Sequence, residues 1–226
     1  MKDGDKSERW RDSYRRVRKD PLSDSQSTNQ ARLTLLGVDR LSREARLLDV
    51  GSGDGNLHET LRAAGFRNVW SIEYQHELVM NQKFPQRTVV ASATDIPYAT
   101  ASMSAAIVMD VLHHLTLEEL CRCLDEIARV VQPGGLLFVC EPARTMTRAL
   151  LNVLLFSPIG QLSGFTRCKR AMVEAERATL DPWLAKEHAF PLSLRERGFG
   201  EEFFSRGWLH HFGRFRTPLR ASARSV

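Results

Sequence analysis

The chain has 226 residues, a formal net charge of +5 and 42% hydrophobic residues. That length suits one domain with a sizeable core, and the hydrophobic share is ordinary for a soluble protein. The most apolar run, residues 149–156, is far short of the ~20 residues needed to span a bilayer, and the four cysteines form no Cys-x-x-Cys pair, so a membrane span and a disulfide scaffold are excluded.

In chain order, the start is basic. Lys2, Lys6, Arg9, Arg11, Arg15, Arg16, Arg18 and Lys19 stand against four acids in the same stretch. It has no apolar signal core, which points to a cytoplasmic protein with reduced, mostly buried thiols. Arg206, Arg214, Arg216, Arg220 and Arg224 enrich the end. Such tails are solvated ends that also attract phosphates or anionic lipid, so peripheral membrane contact stays open. No aromatic-basic interleaving accompanies the charge, so nucleic acid is not the expected partner.

A helix over 30–36 should end at Gly37. Strands follow near 46–50, 69–73, 88–91, 105–109 and 135–141. Helices are expected at about 56–64, 75–82 and 117–131. In the last, Leu117, Leu120, Cys121, Leu124, Ile127, Ala128 and Val131 keep an i, i+3, i+4 rhythm. Thr116 is its expected N-cap and Pro133-Gly134-Gly135 its stop. Residues 203–208 and 211–216 read as a final hairpin. Alternating strands and helices imply a parallel sheet covered on both faces.

The first strand runs into the most informative stretch, Leu47-Leu48-Asp49-Val50-Gly51-Ser52-Gly53-Asp54-Gly55-Asn56. Glycine tolerates positive φ and lets a ligand lie against the peptide. Glu73 ends the second strand 22 residues after Gly51, where a ribose-binding acid is expected in a nucleotide-binding βαβ unit. A dinucleotide fingerprint wants Gly-x-Gly-x-x-Gly. Here Asn56 takes the place of the third glycine, and Gly55 comes one residue early.

That Asp-x-Gly-x-Gly-x-Gly form resembles motif I of class I methyltransferases. Ala93-Thr94-Asp95-Ile96-Pro97-Tyr98 is similar to the segment that passes the adenine in these enzymes. Residues 106–115 resemble their fourth strand and its exit, and residues 130–142 their turn and fifth strand. Order and spacing resemble the methyltransferase type 11 group over roughly residues 46–142. The resemblance implies one Rossmann-like, doubly wound α/β domain. Its mostly parallel sheet would have seven strands, the last antiparallel, with a helical cap inserted between strands five and six. Residues 1–45 would be a basic, helical lead, 46–142 the cofactor-binding core, and 143–226 the acceptor cap and hairpin. The implied cofactor is S-adenosylmethionine.

Ligands in such sheets sit beyond the carboxyl ends of strands. Asp49, Glu73 and Asp110 are all expected there. Glu73 should accept from the ribose hydroxyls. Asp49 either orients the glycine loop or the cofactor's amino group, or caps the next helix. Tyr74 packs on the adenosine or is a surface aromatic. The resemblance adds Ser52, Ala93 and Val111 to Gly51, Gly53 and Gly55 as cofactor contacts. Two positions depart from the group. Ser92 stands where an acid commonly meets the adenine amine, and Ser102-Met103-Ser104-Ala105 lacks the usual aspartate.

His113 and His114 follow the fourth strand, where one of them suits a general base for an oxygen acceptor or both simply shape the loop. His188, His210 and His211 are further candidates. No third clustered ligand supports a metal. Residues 144–195 are the least family-like. Their apolar run, then Arg167, Lys169 and Arg170, favour a small or lipid-like acceptor if this segment is the cap, and plain core packing otherwise. The rival functions are a nicotinamide-dependent oxidoreductase and a cofactor-binding module of the same fold that no longer catalyses.

Overall fold

The computed structural model describes residues 26–219. The basic run from Lys2 to Lys19, and Arg220 and Arg224, lie outside the described residues. Helix α1 (Gln26–Leu36) leads into β1 (Arg46–Val50), α2 (Asn56–Ala63), β2 (Asn68–Glu73), α3 (His76–Val79) and β3 (Thr88–Val90). Then come β4 (Met103–Met109), α4 (Leu117–Val130) and β5 (Val131–Pro142). Three helices follow, α5 (Met146–Phe156), α6 (Gly164–Lys186) and α7 (Ala189–Glu196), before β6 (Gly200–Arg206) and β7 (His210–Arg216).

The strands make one 7-stranded sheet in the order β3-β2-β1-β4-β5-β7-β6. Neighbours from β3 to β5 pair parallel, whereas β7 runs antiparallel to β5 and to β6. Side chains of successive strand residues point to opposite faces, and each face has its own helices. Leu47, Ala105, Ile107 and Phe138 join Leu33 and Leu36 of α1 and Leu57 and Leu61 of α2 in one cluster. Leu48, Val50, Ala106 and Val108 join Leu120, Leu124 and Ile127 of α4, Trp183 of α6, and Phe190 and Leu194 of α7 in the other. A sheet so covered needs near-continuous apolar strands, which is why Ala105, Ala106, Ile107 and Val108 are all fully buried.

Three sequence expectations are corrected. The stripe of α4 that faces the core is Leu120, Cys123, Leu124, Ile127 and Val130, while Leu117 is exposed and Cys121 only half-buried. Glu126 sits at the edge of this stripe, so the buried face is rotated from the purely apolar rhythm. The helix ends with Val131 already extended, before the Pro-Gly-Gly turn. That turn lies inside β5, where the pairing with β4 jumps from Met103↔Val131 to Ala105↔Leu136. Proline disfavours helix for the residue before it, so Pro133 limits α4 from within the next strand. Finally α3 is a single turn, His76–Val79, rather than a helix to residue 82.

Part of residues 144–195 packs as core. Leu180, Trp183, Phe190 and Leu194 are buried in the core, and the Trp183 indole donates to the carbonyl of Pro142 at 2.7 Å. Helix α5 lies outside both clusters, and Leu155 is its one buried residue.

Candidate cofactor and methyl-transfer site

The carboxyl ends of β1, β2, β4 and β5 meet at one end of the sheet. After β1 the chain turns sharply. Gly51, Gly53 and Gly55 have φ of 72°, 55° and 84°. These are left-handed values that favour glycine. At Gly51 a Cβ would lie 2.6 Å from Val111 Cγ2, so this glycine also lets the exit of β4 pack against the loop.

Two side chains hold that loop. Glu73 Oε2 accepts from the Gly53 amide at 2.8 Å, and Oε1 accepts from the Gln75 amide at 2.9 Å. Burial raises the Glu73 pKa, against the lowering effect of those backbone donors. Gln82 was not visible as a site residue in the sequence. It donates to Ser52 Oγ at 2.9 Å and to the Gly53 carbonyl at 2.7 Å, and accepts from the Thr88 hydroxyl at 2.6 Å.

Asp49 is 1% exposed, and its Oδ2 has no hydrogen-bond partner among the described residues. Its pKa is raised from 3.8 to about 8, by burial first and then by the Glu73 and Asp54 charges. It does not cap α2, whose N-cap is Gly55. Tyr74, beside Glu73, is 77% exposed. The Ser92 hydroxyl is engaged with Thr94, by Oγ to Oγ1 at 2.8 Å and by accepting from the Thr94 amide at 3.1 Å. Ala93 is half-buried beside it. Glu126 and Arg129, also unmarked in the sequence, fix the segment after Ser92. Glu126 accepts from the Ile96 amide at 2.9 Å, and Arg129 donates to the carbonyls of Ile96 and Tyr98 at 2.7 and 2.8 Å.

At the exit of β4, Asp110 takes φ 56°, unusual for a residue with a side chain. Arg32 of α1 donates to its Oδ2 at 2.9 Å, and His210 Nε2 lies 3.3 Å from Oδ1. Burial alone would raise the Asp110 pKa. The His210 hydrogen bond and the Arg32 charge outweigh it and hold the carboxyl below its usual range. His210 arrives because Pro142↔His210 is the end of the antiparallel pairing of β5 with β7.

Behind Asp110, Glu141 is fully buried. It accepts from the amides of Val111 and Leu112 at 2.8 Å each, from that of His113 at 3.3 Å, and pairs with His113 Nδ1 at 2.9 Å. Burial by itself would lower the His113 pKa, but the hydrogen bond and charge of Glu141 raise it. His114 lies 4.1 Å away, ring to ring, and burial with the His113 charge lowers it to about 3. His188 is exposed, and His211 is buried with Nε2 3.0 Å from Glu187 Oε2. Of those three histidines, His210 alone joins Asp110. Among the described residues no group of three or more His, Cys, Asp or Glu could hold a metal.

This arrangement coincides with a known family. Residues 48–139 match the family model described as a methyltransferase domain, type 11. The match runs from β1 into β5, less than half of the chain, and it indicates S-adenosylmethionine as the cofactor. A tRNA (carboxymethyluridine(34)-5-O)-methyltransferase of Arabidopsis thaliana is 33% identical over 94 residues, 41% of this chain and 23% of that relative. The chain therefore matches less than a quarter of that relative's length. Two solved structures share the fold. Magnesium protoporphyrin IX methyltransferase from Synechocystis PCC 6803, with bound SAH, has a TM-score of 0.63 at 18% identity, covering 91% of this chain and 93% of that one. A protein of Pyrococcus horikoshii OT3 has a TM-score of 0.62 at 16% identity, covering 87% and 92%. The family match sets aside the nicotinamide alternative.

Proposed function

We propose that this chain transfers a methyl group from S-adenosylmethionine to a small or lipid-like acceptor. When bound, the cofactor supplies a methyl activated by its sulfonium. The observation that carries the reading is the glycine loop tied to Glu73, with the unpaired Asp49 Oδ2 buried beneath it. Glu73 takes the Gly53, Gln75 and Tyr74 amides, and the roughly four acceptor sites of a carboxylate leave capacity for a ribose hydroxyl. Asp49 suits the cofactor's ammonium. Gly51, Ser52, Gly53, Gly55, Tyr74, Ser92, Ala93, Asp110 and Val111 complete the proposed contacts. Cys121 and Cys123, which form no disulfide, support the cytoplasm as its compartment, which cell fractionation checks.

Turnover of a labelled methyl donor with metabolite and lipid extracts tests the activity, and a donor that binds without any turnover would leave only a binding module. A second reading has an RNA acceptor, because the Arabidopsis relative is by name a tRNA methyltransferase. Label found in the tRNA fraction alone would favour it.

Asp49 gives a proton prediction. Its folded pKa of about 8 lies above the ordinary 3.8, so at pH 7 the carboxyl keeps its proton. A cofactor ammonium favours the ionised form. Binding of S-adenosylhomocysteine near pH 7 is therefore expected to release a proton, less so as pH rises past 8. Calorimetry in buffers of different ionisation enthalpy reads this release. Asp49→Asn should bind without it, and an unchanged release in that variant would assign the proton elsewhere.

Catalysis is assigned to positioning rather than to one histidine. His113 is committed to Glu141, and His114, with its pKa at about 3, is a weak base. His114→Asn should lose less than the ~10²-fold at the lower end for a missing general base. A larger fall in kcat with cofactor affinity intact would make His114 that base.

A further inference from the structure

Helix α5 is turned inside out for a soluble protein. Met146, Leu150, Val153 and Leu154 recur at i, i+4, i+7 and i+8, so they share one face. That face points to solvent, with exposures of 77%, 66%, 70% and 44%. The patch continues beyond the helix at Trp208, which lies in the turn between β6 and β7 and is 82% exposed. The Thr145 hydroxyl donates to the Trp208 carbonyl and Arg148 to that of Leu209, so the tryptophan turn is tied to the first turn of α5. A contiguous exposed apolar surface of this kind marks an interaction site.

Charge selects the partner. Between Glu141 and Glu174 the chain carries five basic residues and no acidic one. Arg144 and Arg167 are exposed. Arg170 and Arg177 lie over the Phe156 ring at 5.0 and 5.1 Å, at the far end of α5. Arg170 and Arg177 also pair with Glu174 and Asp181, and Glu187 pairs with Arg206 and His211, which leaves Arg144 and Arg167 as the exposed bases of the rim. Apolar side chains on one helix face, a basic rim and an exposed tryptophan are the attributes of a helix lying in the headgroup region of an anionic membrane. A second copy of this chain would set basic rim against basic rim in a two-fold dimer. RNA would leave the aliphatic face unused.

We propose that α5 and the Trp208 turn dock this protein onto an anionic lipid surface. For its purpose the inference rests on the lipid-like acceptor reading, since α5 leaves the sheet beside the strand end that holds Asp110. Docking itself needs no acceptor and is tested without one.

The full chain is sedimented with phosphatidylcholine vesicles, with or without phosphatidylglycerol, in the absence of cofactor. Partitioning onto the phosphatidylglycerol vesicles is expected, with weakening in high salt. The double variant L150E/V153E should lose at least tenfold in partitioning, and W208A several-fold together with the lipid-induced blue shift of tryptophan emission. Both should melt and bind S-adenosylhomocysteine like the parent, because these side chains are exposed. Three results would overturn the inference: no partitioning of the parent, equal partitioning of L150E/V153E, or a parent dimer in light scattering that L150E/V153E dissolves. Vesicle binding alongside lipid extracts that take no methyl would uphold docking and remove the acceptor reading alone.

Discussion

Replacing Glu141 by alanine is expected to lower the melting temperature by roughly 6–20 °C. The carboxylate is fully buried and takes three amides and the His113 imidazole from the loop that leaves β4. Removing one side of a buried charged pair costs about 3–5 kcal/mol, and each kcal/mol moves the melting point of a domain this size by about 2–4 °C. Glu141→Gln keeps the volume and one acceptor oxygen and should fall less. The pH dependence has a definite sign. The folded pKa of His113 is raised above its ordinary 6.5, so the pair stabilises fully below that value. The contribution is lost as pH rises through the folded value. Calorimetric melting across pH 6 to 9 should show this slope in the parent and not in Glu141→Gln. A Glu141→Ala melting point within 3 °C of the parent would mean that the loop is held by other contacts.

For Glu73→Ala, S-adenosylhomocysteine binding should weaken about ten- to hundredfold. Hydrogen bonds to a charged group are worth about 1.5–3 kcal/mol, and each 1.4 kcal/mol is tenfold in affinity. The effect is expected toward the upper end, because Glu73 also holds the Gly53 and Gln75 amides and its loss would loosen the loop as well as the proposed ribose contact. Titration calorimetry on a variant with an unchanged melting point reads the affinity. An affinity equal to the parent's would remove Glu73 from the site and with it the main support for the proposed cofactor pose.

The sheet was legible in the sequence because a buried parallel strand writes itself as an apolar run, and each run here ends in turn chemistry. Asp49, Glu73 and Asp110 could be grouped in advance because strand ends converge in this architecture. The polar side chains that fix the loops around those residues could not. Gln82, Glu126, Glu141 and Arg32 are polar residues on otherwise ordinary elements, and nothing in their local pattern distinguishes a side chain aimed inward from one in water. Glu126 illustrates the difficulty, since it lies in a helix whose apolar rhythm alone assigns the buried stripe to its neighbours. His210 reaches Asp110 only through the antiparallel register of β7, a pairing across a long sequence separation. Periodicity marked α5 as unlike a loop, yet it does not tell an apolar face turned inward from one turned outward.

The strand order also bears on how the molecule is made. Among the described residues strand β6 pairs with no strand except β7, and the outer edge of β5 is closed by β7 as well. A growing chain therefore completes β5, three helices and β6 while two sheet edges wait for His210–Arg216. Domains fold as their residues emerge, and unpaired edges invite association in the meantime. Chains halted before His210 should be cut readily by protease within residues 200–206, and full-length chains should not. The last of the described strands is thus the one that closes the sheet and delivers His210 to Asp110, so closure of this sheet and assembly of this corner of the site occur in a single step.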